Sequence, residues 1–513
     1  KKVKKKHNGI IYLDTNNIRK LLADVSFKIY KKKPENLIAV TGTNGKSSIA
    51  NFYYQILKLN KKKVASIGTL GVKAENYNLK LNNTTIDPIK LSKILRILKD
   101  KNIDNVIMEA SSHGLSQNRL DGLVFSTGIF TNISQDHLDY HKNFKNYLKA
   151  KLYLFENLIK KRGNVITDDE IAPFKKIKRI SFNKNLKLYT LNNNKSNFKV
   201  LSHFFKNESQ ILRIKYKNLI EDINLKLIGK IQLKNLLMAI IAAEKSGLEL
   251  RKIFKVIPKL RSTEGRFEKI GNIKNKAKVI LDYAHTPDAL KVCLLNLREQ
   301  FPNKKIILLF GCGGNRDQNK RSKMGKIAAK YSNLIYLTDD NPRFENPDKI
   351  RRDIKKGIKN KKVVEISNRA TAISDAIKNL STGEILLVAG RGHEKIQDFG
   401  KKKINFSDKI KILKAIKNKN LLLSNDFKVN IIRELSNNKK LPIYSSISQA
   451  RINSKEVKKN DIFFAIKGKK IDANKFVAQA FKKKASLAIV NRIQSGLNKN
   501  KQIKIKNSLK LLT

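Results

Sequence analysis

Apolar runs of strand length recur along the first 420 residues, separated by amphipathic stretches. Residues 36–41 (NLIAVT), 63–67 and 105–109 (NVIME) are apolar runs bounded by polar residues, as is typical of strands buried in a parallel sheet. A glycine-containing loop at 42–46 and a predicted helix over 47–57 follow the first of them. The pattern predicts a βαβ unit.

A second helix is predicted to begin at Pro88, because Asp87 suits the N-cap and proline suits the first helical position. Further buried strands are predicted from about residue 260 onwards, at 278–283, 305–310, 334–338 and 384–389. Each ends in a polar loop, where ligands of open α/β sheets bind. The fold class expected is therefore α/β, followed from about residue 424 by a short, lysine-rich and less regular segment.

Composition narrows the class of protein. At about 150 residues per domain, 513 residues suggest three domains, and a 41% hydrophobic content is enough to form cores. No apolar run approaches the roughly 20 residues that span a bilayer, and the basic N-terminus has no apolar stretch behind it. Two cysteines without zinc-type spacing indicate neither a disulfide framework nor a zinc site, and favour the cytoplasm.

The chain is strongly basic, with 109 Lys and Arg against 42 Asp and Glu, a net charge of +67. Such a charge attracts anions, including nucleic acid, so a basic binding protein without enzymatic activity is one alternative. Lysine is abundant everywhere, however, and no aromatic-interleaved RNA-binding signature is present. The charge is therefore read mainly as solvated surface.

A phosphate loop is predicted at Thr41 to Ser48 (TGTNGKSS), between a strand and a helix. Glycines let backbone amides face phosphate oxygens, and the helix N-terminus adds positive potential. Lys46 would reach the β- and γ-phosphates, and Ser47 would offer its hydroxyl to Mg²⁺. Val40 stands where the common pattern GxxxxGK[ST] has its first glycine.

Further polar clusters follow other predicted strands. Glu109 ends one strand near the phosphate loop and could hold Mg²⁺, and residues 131–141 (TNISQDHLDYH) suit a metal or acid–base role. Lys151, ten residues on, reads by itself as a surface lysine. In the later strands, Asp282 could take ribose hydroxyls while Tyr283 and His285 stack on a base.

Three loops after strands of the second block, 311–317 (GCGGNRD), 339–343 (DDNPR) and 390–394 (GRGHE), are expected to converge. Arg316 and Arg343 offer forks for carboxylates, whereas Asp340, Asn341 and Glu394 offer acceptors for an ammonium. Together they predict a site for an amino acid.

These motifs, in this order from about Tyr12 to Ile416, resemble the Mur ligase family of peptidoglycan synthesis, in particular its branch that adds 2,6-diaminopimelate. The resemblance implies ATP and Mg²⁺ as cofactors. It implies catalytic roles for Lys46, His137 and a carbamylated Lys151, and metal ligands Ser47, Glu109, His137 and Lys151. It implies nucleotide contacts from Gly42, Thr43, Asn44, Gly45, Lys46, Ser47, Ser48, Asn235, Arg266, Asp282, Tyr283 and His285. For the substrates it implies Asn83, Thr84, Thr85, Ser111, Gln117, Arg119, Arg316, Asp340, Asn341, Pro342, Arg343, Gly390 and Glu394.

The reaction implied is ATP-dependent ligation of meso-diaminopimelate to the D-glutamate carboxylate of UDP-MurNAc-L-Ala-D-Glu, through an acyl phosphate. A Mur-type ligase specific for L-lysine, or one of folylpolyglutamate type, is the alternative. No specific nucleic acid and no membrane insertion are expected. Departures from the family pattern are Ser47 for threonine, Ile86 for proline and Gln232 for asparagine.

Four segments are expected: 1–35 as the remnant of a UDP-binding domain, 36–258 as a P-loop-type central ATP-binding domain, 259–420 as a Rossmann-like ligase domain, and 424–513 as a small α/β extension. In the extension, residues 452–476, with Asp472-Ala473-Asn474, resemble the N-terminal domain of the Mur ligase that adds D-alanyl-D-alanine (MurF). The chain is accordingly read as part of a fusion of two ligases. A lesser alternative has the extension serving as the UDP-binding domain.

Overall fold

The computed structural model describes residues 3–7, 10–191, 198–206, 208–216, 219–435, 448–468 and 471–505. They form two compact units. The first comprises Lys1–Ile270, Val279–Ala376 and Glu384–Lys411, and the second comprises Gly271–Lys278, Ile377–Gly383 and Ile412–Thr513. Within the described ranges, no helix is both long and apolar enough to cross a membrane.

An antiparallel hairpin and one helix precede the first large sheet: β1 (Val3–His7), β2 (Ile10–Leu13) and α1 (Ile18–Ile29). The sheet itself has eleven strands in the order β13-β12-β11-β10-β9-β8-β3-β7-β4-β5-β6. Their bounds are β3 (Asn36–Thr41), β4 (Val64–Gly68), β5 (Gly71–Ala74), β6 (Tyr77–Leu79), β7 (Asn105–Glu109), β8 (Phe125–Phe130), β9 (Ile159–Asp168), β10 (Lys187–Leu191), β11 (Phe198–Lys206), β12 (Ser209–Tyr216) and β13 (Leu219–Leu225). The strands from β11 to β4 run parallel, and antiparallel pairing extends the sheet beyond both of them.

Helices cover both faces of this sheet, and each face has its own apolar core. The helices are α2 (Lys46–Leu59), α3 (Pro88–Asp100), α4 (Ser112–Ser116), α5 (Leu138–His141), α6 (Phe144–Tyr153), α7 (Phe174–Asn183), α8 (Lys230–Lys245) and α9 (Leu250–Val256). Burial on both faces explains why β3 and β7 are nearly continuous apolar runs. Both strands end at one edge of the sheet, which places the loops that follow them side by side.

The second sheet has six strands in the order β14-β15-β19-β16-β17-β18. Its strands are β14 (Glu268–Lys269), β15 (Lys278–Asp282), β16 (Ile306–Phe310), β17 (Leu334–Leu337), β18 (Val363–Glu365) and β19 (Ile385–Ala389). Its helices are α10 (Pro287–Gln300), α11 (Lys320–Tyr331), α12 (Pro347–Lys355) and α13 (Arg369–Lys378), and a hairpin of β20 (Ile396–Asp398) and β21 (Lys403–Asn405) follows. The predicted strands are confirmed to within about one residue, as is the start of α3 at Pro88 with Asp87 as its cap.

The final segment is more regular than its lysine-rich sequence suggests. Helix α14 (Asp408–Leu435) precedes a parallel sheet of β22 (Ala450–Arg451), β23 (Ile462–Phe464), β24 (Leu487–Val490) and β25 (Gln502–Lys504), with α15 (Val477–Lys482) between the second and third strands. This agrees with the small α/β extension expected for this segment, whereas its lysine-rich sequence taken alone indicates a less regular structure. Its strands are only two to four residues long, so they are hard to recognise among lysines, yet β23 and β24 are fully buried.

Candidate active site

The phosphate loop connects β3 to α2 and has two glycines with positive φ. Gly42 has φ of +139°, and a Cβ there would lie 1.9 Å from Thr131 Oγ1. Gly45 has φ of +90° and caps α2, and a Cβ there would lie 2.5 Å from Asn235 Oδ1. Both positions therefore require glycine, for backbone conformation and for the close approach of a neighbouring side chain.

The loop is braced from the side by residues that follow β8. Thr43 N donates to Asn132 O, and Asn44 N donates to Asn132 Oδ1, each at 3.0 Å. The first helical bond across the start of α2 is Ile49 N to Gly45 O, and within the described chain no side chain caps the helix. The amides of the first helical turn are thus directed outward, the arrangement that binds anions at helix N-termini.

A partly buried lysine and a fully buried one meet at this loop. Lys46 Nζ donates to the carbonyl oxygens of Gly42 and Thr43 at 2.9 and 2.8 Å, and Lys151 Nζ on α6 donates to Gly42 O at 2.7 Å. Lys151 is only 2% exposed, so it is not the surface lysine that its local sequence suggests. Burial lowers the pKa of both ammonium groups, that of Lys151 well below its usual value, and Lys46 adds to the effect on Lys151.

Glu109 and His137 are the candidate metal ligands. Glu109 is 3% exposed, and its carboxylate accepts from the backbone and hydroxyl of Thr69, at 3.0 Å each. His137 has φ of +53°, and burial lowers its pKa to about 4, which keeps the imidazole neutral. Within the described residues no three acidic, histidine or cysteine side chains form a metal cluster. The carboxylate of Glu109 fits Mg²⁺, which usually takes one or two protein carboxylates alongside phosphate and water, whereas the His137 imidazole is a ligand more typical of softer metals.

A network of hydrogen bonds orders the predicted sugar-peptide side. Thr85 Oγ1 donates to Glu109 O at 2.8 Å and accepts from Ser111 N at 2.9 Å. The guanidinium of Arg119 donates to Thr85 O and to Gln117 Oε1, at 2.5 and 2.6 Å. Hydrogen bonds through Thr69 and Thr85 therefore connect the substrate side to the end of the strand that carries Glu109. The sequence motifs did not indicate this connection.

One cavity of about 640 Å³ brings together much of the predicted site. Its lining includes Asn83, Thr84, Thr85, Ser111, Gln117, Arg119, His137, Tyr283, His285, Arg316, Asp340, Asn341, Arg343, Gly390 and Glu394. Among the described residues, its lining does not include the phosphate loop Gly42 to Ser48, Glu109, Lys151, Asn235, Arg266, Asp282 or Pro342. The three later loops thus converge as expected, opposite the loops of the first sheet.

The amide of Asn341 is oriented by a buried arginine. Asn341 Oδ1 accepts from Arg391 Nη1 at 2.6 Å and from Asp398 N at 2.9 Å, and its Nδ2 donates to Glu394 Oε2 at 2.9 Å. Because both partners of the oxygen can only donate, the amide orientation is determined. The Asn341 oxygen thus already has two protein donors, and its contact with a substrate ammonium stays a prediction. Arg391, which is fully buried, was missed because an arginine in a loop reads as a surface residue.

The nucleotide side of the second sheet is arranged around Tyr283. The guanidinium carbon of Arg266 lies 4.3 Å from the Tyr283 ring centroid, and the His285 ring lies 4.6 Å from it. Asp282 accepts from Phe267 N at 2.7 Å and from Ala284 N at 2.8 Å. Both of its oxygens thus have protein donors that hold this turn, and its predicted contact with ribose hydroxyls stays a prediction.

Comparison with known proteins is consistent with this architecture, in which a phosphate-loop domain and a Rossmann-like domain contribute to one site. Residues 40–243 match the Mur ligase middle domain, and residues 265–392 match the Mur ligase domain described as the glutamate ligase domain. The chain therefore belongs to the Mur ligase family.

Relatives agree with this family. A protein of Rickettsia montanensis named UDP-N-acetylmuramoyl-L-alanyl-D-glutamate–2,6-diaminopimelate ligase is 40% identical over 393 residues, covering 76% of this chain and 81% of the relative. A protein of the same name from Chelativorans sp. (strain BNC1) is 36% identical, covering 80% and 84%. A solved structure with that name has 29% identity and a TM-score of 0.58, covering 79% of this chain and 84% of the other. MurF from Thermotoga maritima, solved in complex with ADP, shares the fold with a TM-score of 0.58 at 15% identity, covering 82% and 88%.

Proposed function

We propose that this chain is the ATP-dependent ligase that joins meso-2,6-diaminopimelate to the D-glutamate carboxylate of UDP-MurNAc-L-Ala-D-Glu, in peptidoglycan precursor synthesis in the cytoplasm. The observation that carries the proposal is the single cavity lined by Arg119 and Thr85 on one side and by Arg316, Arg343 and Glu394 on the other. Such a cavity offers guanidinium groups that can bind anions and carboxylates that can bind an ammonium. The names of the relatives supply the substrate identities.

The first chemical step is activation of the carboxylate. A carboxylate is a poor acyl donor, because its leaving group would be oxide, so transfer of the γ-phosphoryl group of ATP creates a better one. The outward amides of α2 and the Lys46 ammonium neutralise charge on the phosphates. Mg²⁺ would be held by Ser47, Glu109, His137 and a carbamylated Lys151, and when bound it stabilises negative charge on the phosphoryl group.

The second step is attack by an amine. Arg316 and Arg343 would pair with the carboxylates of diaminopimelate, and Arg343 with the distal one that L-lysine lacks. Asp340 and Glu394 would hold an ammonium. One amine of diaminopimelate, in its neutral form, attacks the acyl carbon. The tetrahedral intermediate then collapses, the C–O bond to phosphate breaks, and the nitrogen gives up one proton, which leaves with the phosphate, so that an amide remains. Positioning supplies most of the rate enhancement.

Carbamylation of Lys151 agrees with its surroundings. A neutral amine is needed to attack CO₂, forming an N–C bond and releasing a proton, and burial lowers the pKa of Lys151 in that direction. The product is an anion beside Lys46, so the two like charges at the Gly42 carbonyl become an opposite pair. Lys151 would then contribute an oxygen ligand for Mg²⁺.

A ligase of L-lysine or folylpolyglutamate type is the alternative, and phosphate release distinguishes it. We expect release only with UDP-MurNAc-L-Ala-D-Glu, ATP and diaminopimelate together. Arg343→Ala should lower kcat/KM for diaminopimelate by about 100-fold, the cost of one charge-assisted fork. Arg352→Ala, at an exposed position of α12, is the matched control. Turnover with L-lysine equal to that with diaminopimelate, or release without any amine, would reject the assignment.

We further propose that residues 448–505 form a domain of the kind that begins MurF, and that they belong to a second ligase. What supports this is a separate parallel sheet with its own buried strands, and a turn in which Asn474 Nδ2 donates to Asp472 Oδ1 at 2.6 Å while Asn474 Oδ1 accepts from Asn491 N at 3.0 Å. Calorimetric titration of the chain with UDP tests it. Asn474→Ala should weaken a UDP site in this segment, whereas Asn498→Ala should not, and equal affinities would reject the proposal.

A further inference from the structure

The domain built on the second sheet contains an ion pair outside the cavity, and its arginine is fully buried. Arg321, near the start of α11, is 0% exposed, and its Nη1 and Nη2 donate to Glu345 Oε1 and Oε2 at 2.7 and 2.6 Å. Asp353 on α12 accepts a weaker bond from Nη1 at 3.2 Å. A parallel two-bond pair of this kind fixes orientation as well as distance. Neither Arg321 nor Glu345 belongs to the lining of the cavity described above.

Glu345 connects two loops that do line the cavity. Its Oε2 accepts from Asn315 N at 3.1 Å, and Asn315 Oδ1 accepts from Phe344 N at 3.0 Å. A third bond, Gly314 N to Asn341 O at 2.9 Å, lies alongside these two. The loop that carries Arg316 and the loop that carries Arg343 are therefore joined, and the carboxylate of Glu345 links both to the rigid helix α11.

Arg343 is the residue that needs this support. Its φ is +53°, a conformation that long side chains rarely adopt. Its amide donates to Asp398 O at 3.0 Å, and its Nη1 donates to Gly314 O at 2.8 Å. A strained backbone persists only where surrounding contacts determine it more than once. Besides these two direct bonds, Phe344 next to Arg343 is held by Asn315, which in turn is held by the Glu345 carboxylate.

We propose that Arg321 and Glu345 are positioning residues that hold Arg343 in its binding conformation and thereby determine affinity for the distal carboxylate of the amino-acid substrate. This inference rests on the proposed function. Neither residue touches substrate. The pair acts by keeping the guanidinium of Arg343 in place before the ligand arrives. Binding then does not have to order the Arg343 side chain, so less conformational entropy is lost and affinity is higher.

The test is calorimetric binding of meso-diaminopimelate to the 513-residue chain, with a non-hydrolysable ATP analogue and UDP-MurNAc-L-Ala-D-Glu saturating. Glu345→Gln and Arg321→Lys break the pair from its two sides. Each should raise the Kd for diaminopimelate at least about tenfold while leaving the Kd of the nucleotide analogue unchanged. The double variant should be no worse than the singles, because both remove one interaction. Asp353→Asn, which removes the other partner of Arg321, is the matched control and should retain affinity.

Several results would overturn the inference. Unchanged diaminopimelate affinity in Glu345→Gln would do so. So would parallel losses of nucleotide and diaminopimelate affinity with a lowered Tm, since that is the outcome of general destabilisation. If one variant does not fold, the other is read alone against Asp353→Asn, and failure of both to fold would mean that the pair is structural and overturn the inference. If the unaltered chain binds no diaminopimelate, the proposed function fails first, and this inference fails with it.

Discussion

Lys46 and Lys151 both donate a hydrogen bond to the carbonyl oxygen of Gly42, at 2.9 and 2.7 Å. Two ammonium groups on one acceptor repel each other, and loss of solvation lowers the pKa of each. The arrangement is relieved when phosphate reaches Lys46 or when Lys151 loses its positive charge.

Changing Lys151 should therefore affect chemistry more than folding. Lys151→Ala is expected to lower turnover by about 100-fold, the usual range for loss of a metal-orienting group. Under ¹³C-labelled bicarbonate, the unaltered chain should show a carbamate carbon by NMR that the variant lacks. Short carboxylic acids should partly restore activity to Lys151→Ala. A spectrum without the carbamate, together with a fully active variant, would contradict the proposed role.

Two glycines of similar backbone conformation provide a matched pair. Gly45 has φ of +90° and faces Asn235 Oδ1, whereas Gly247 has φ of +87° and nothing within 4 Å of a Cβ. Alanine at Gly247 should cost about 1 kcal/mol of unfolding free energy, and alanine at Gly45 at least as much. Only Gly45→Ala should also weaken ATP binding, by at least about tenfold, because Asn235 and the loop must move apart. Equal ATP affinity in the two variants, measured by calorimetry, would argue against a phosphate loop here.

Because Arg391 is buried beside Asn341, we expect substitutions of Asn341 and of Asn346 to have different effects. Asn341→Ala leaves Arg391 without its closest acceptor, which should cost at least about 2 kcal/mol of unfolding free energy and also weaken diaminopimelate binding. Asn346→Ala removes the N-cap of α12, which should cost about 1 kcal/mol without changing that affinity. Urea unfolding and calorimetry measure both. A larger loss of affinity in Asn346→Ala would contradict this account of the site.

Stability should decrease in mild acid because of His393. Burial, with Arg266 and Lys395 nearby, lowers the pKa of His393 to about 3. The unfolded chain therefore binds more protons between pH 6.5 and 3, so stabilisation present above pH 6.5 is lost as the pH falls. From pH 7 to 5.5 this single group should contribute about 1 kcal/mol of lost unfolding free energy, and less where solvent reaches the ring. His393→Asn should show a correspondingly flatter pH dependence in urea unfolding, and an unchanged slope would contradict the assignment.

The sequence predicted secondary structure best where a local residue pattern has a single physical cause. The apolar strands β3 and β7 and the Asp87-Pro88 helix start were predicted because burial on both faces and capping leave clear local patterns. The antiparallel extension of the first sheet was not predicted, although β12 alternates buried and open positions in the way its sequence, SQILRIKY, would allow.

Charged residues in the interior were the least predictable part of the site. Lys151, Arg321 and Arg391 are each at most 2% exposed, yet their local sequences look like surface segments. Their burial depends on partners that lie far away along the chain, such as Glu345. The local pattern of apolar and polar residues does not indicate such partners. For Lys151 only the resemblance to a family indicated otherwise. The roles of individual site residues remain predictions that the experiments above address.

The most direct test of the central claim follows oxygen. UDP-MurNAc-L-Ala-D-Glu labelled with ¹⁸O in the D-glutamate carboxylate is incubated with ATP and diaminopimelate, and the released phosphate is analysed by mass spectrometry. Activation of that carboxylate by phosphoryl transfer predicts one ¹⁸O atom in each phosphate, with amide product in equal amount. Unlabelled phosphate accompanying amide formation would contradict the acyl-phosphate account.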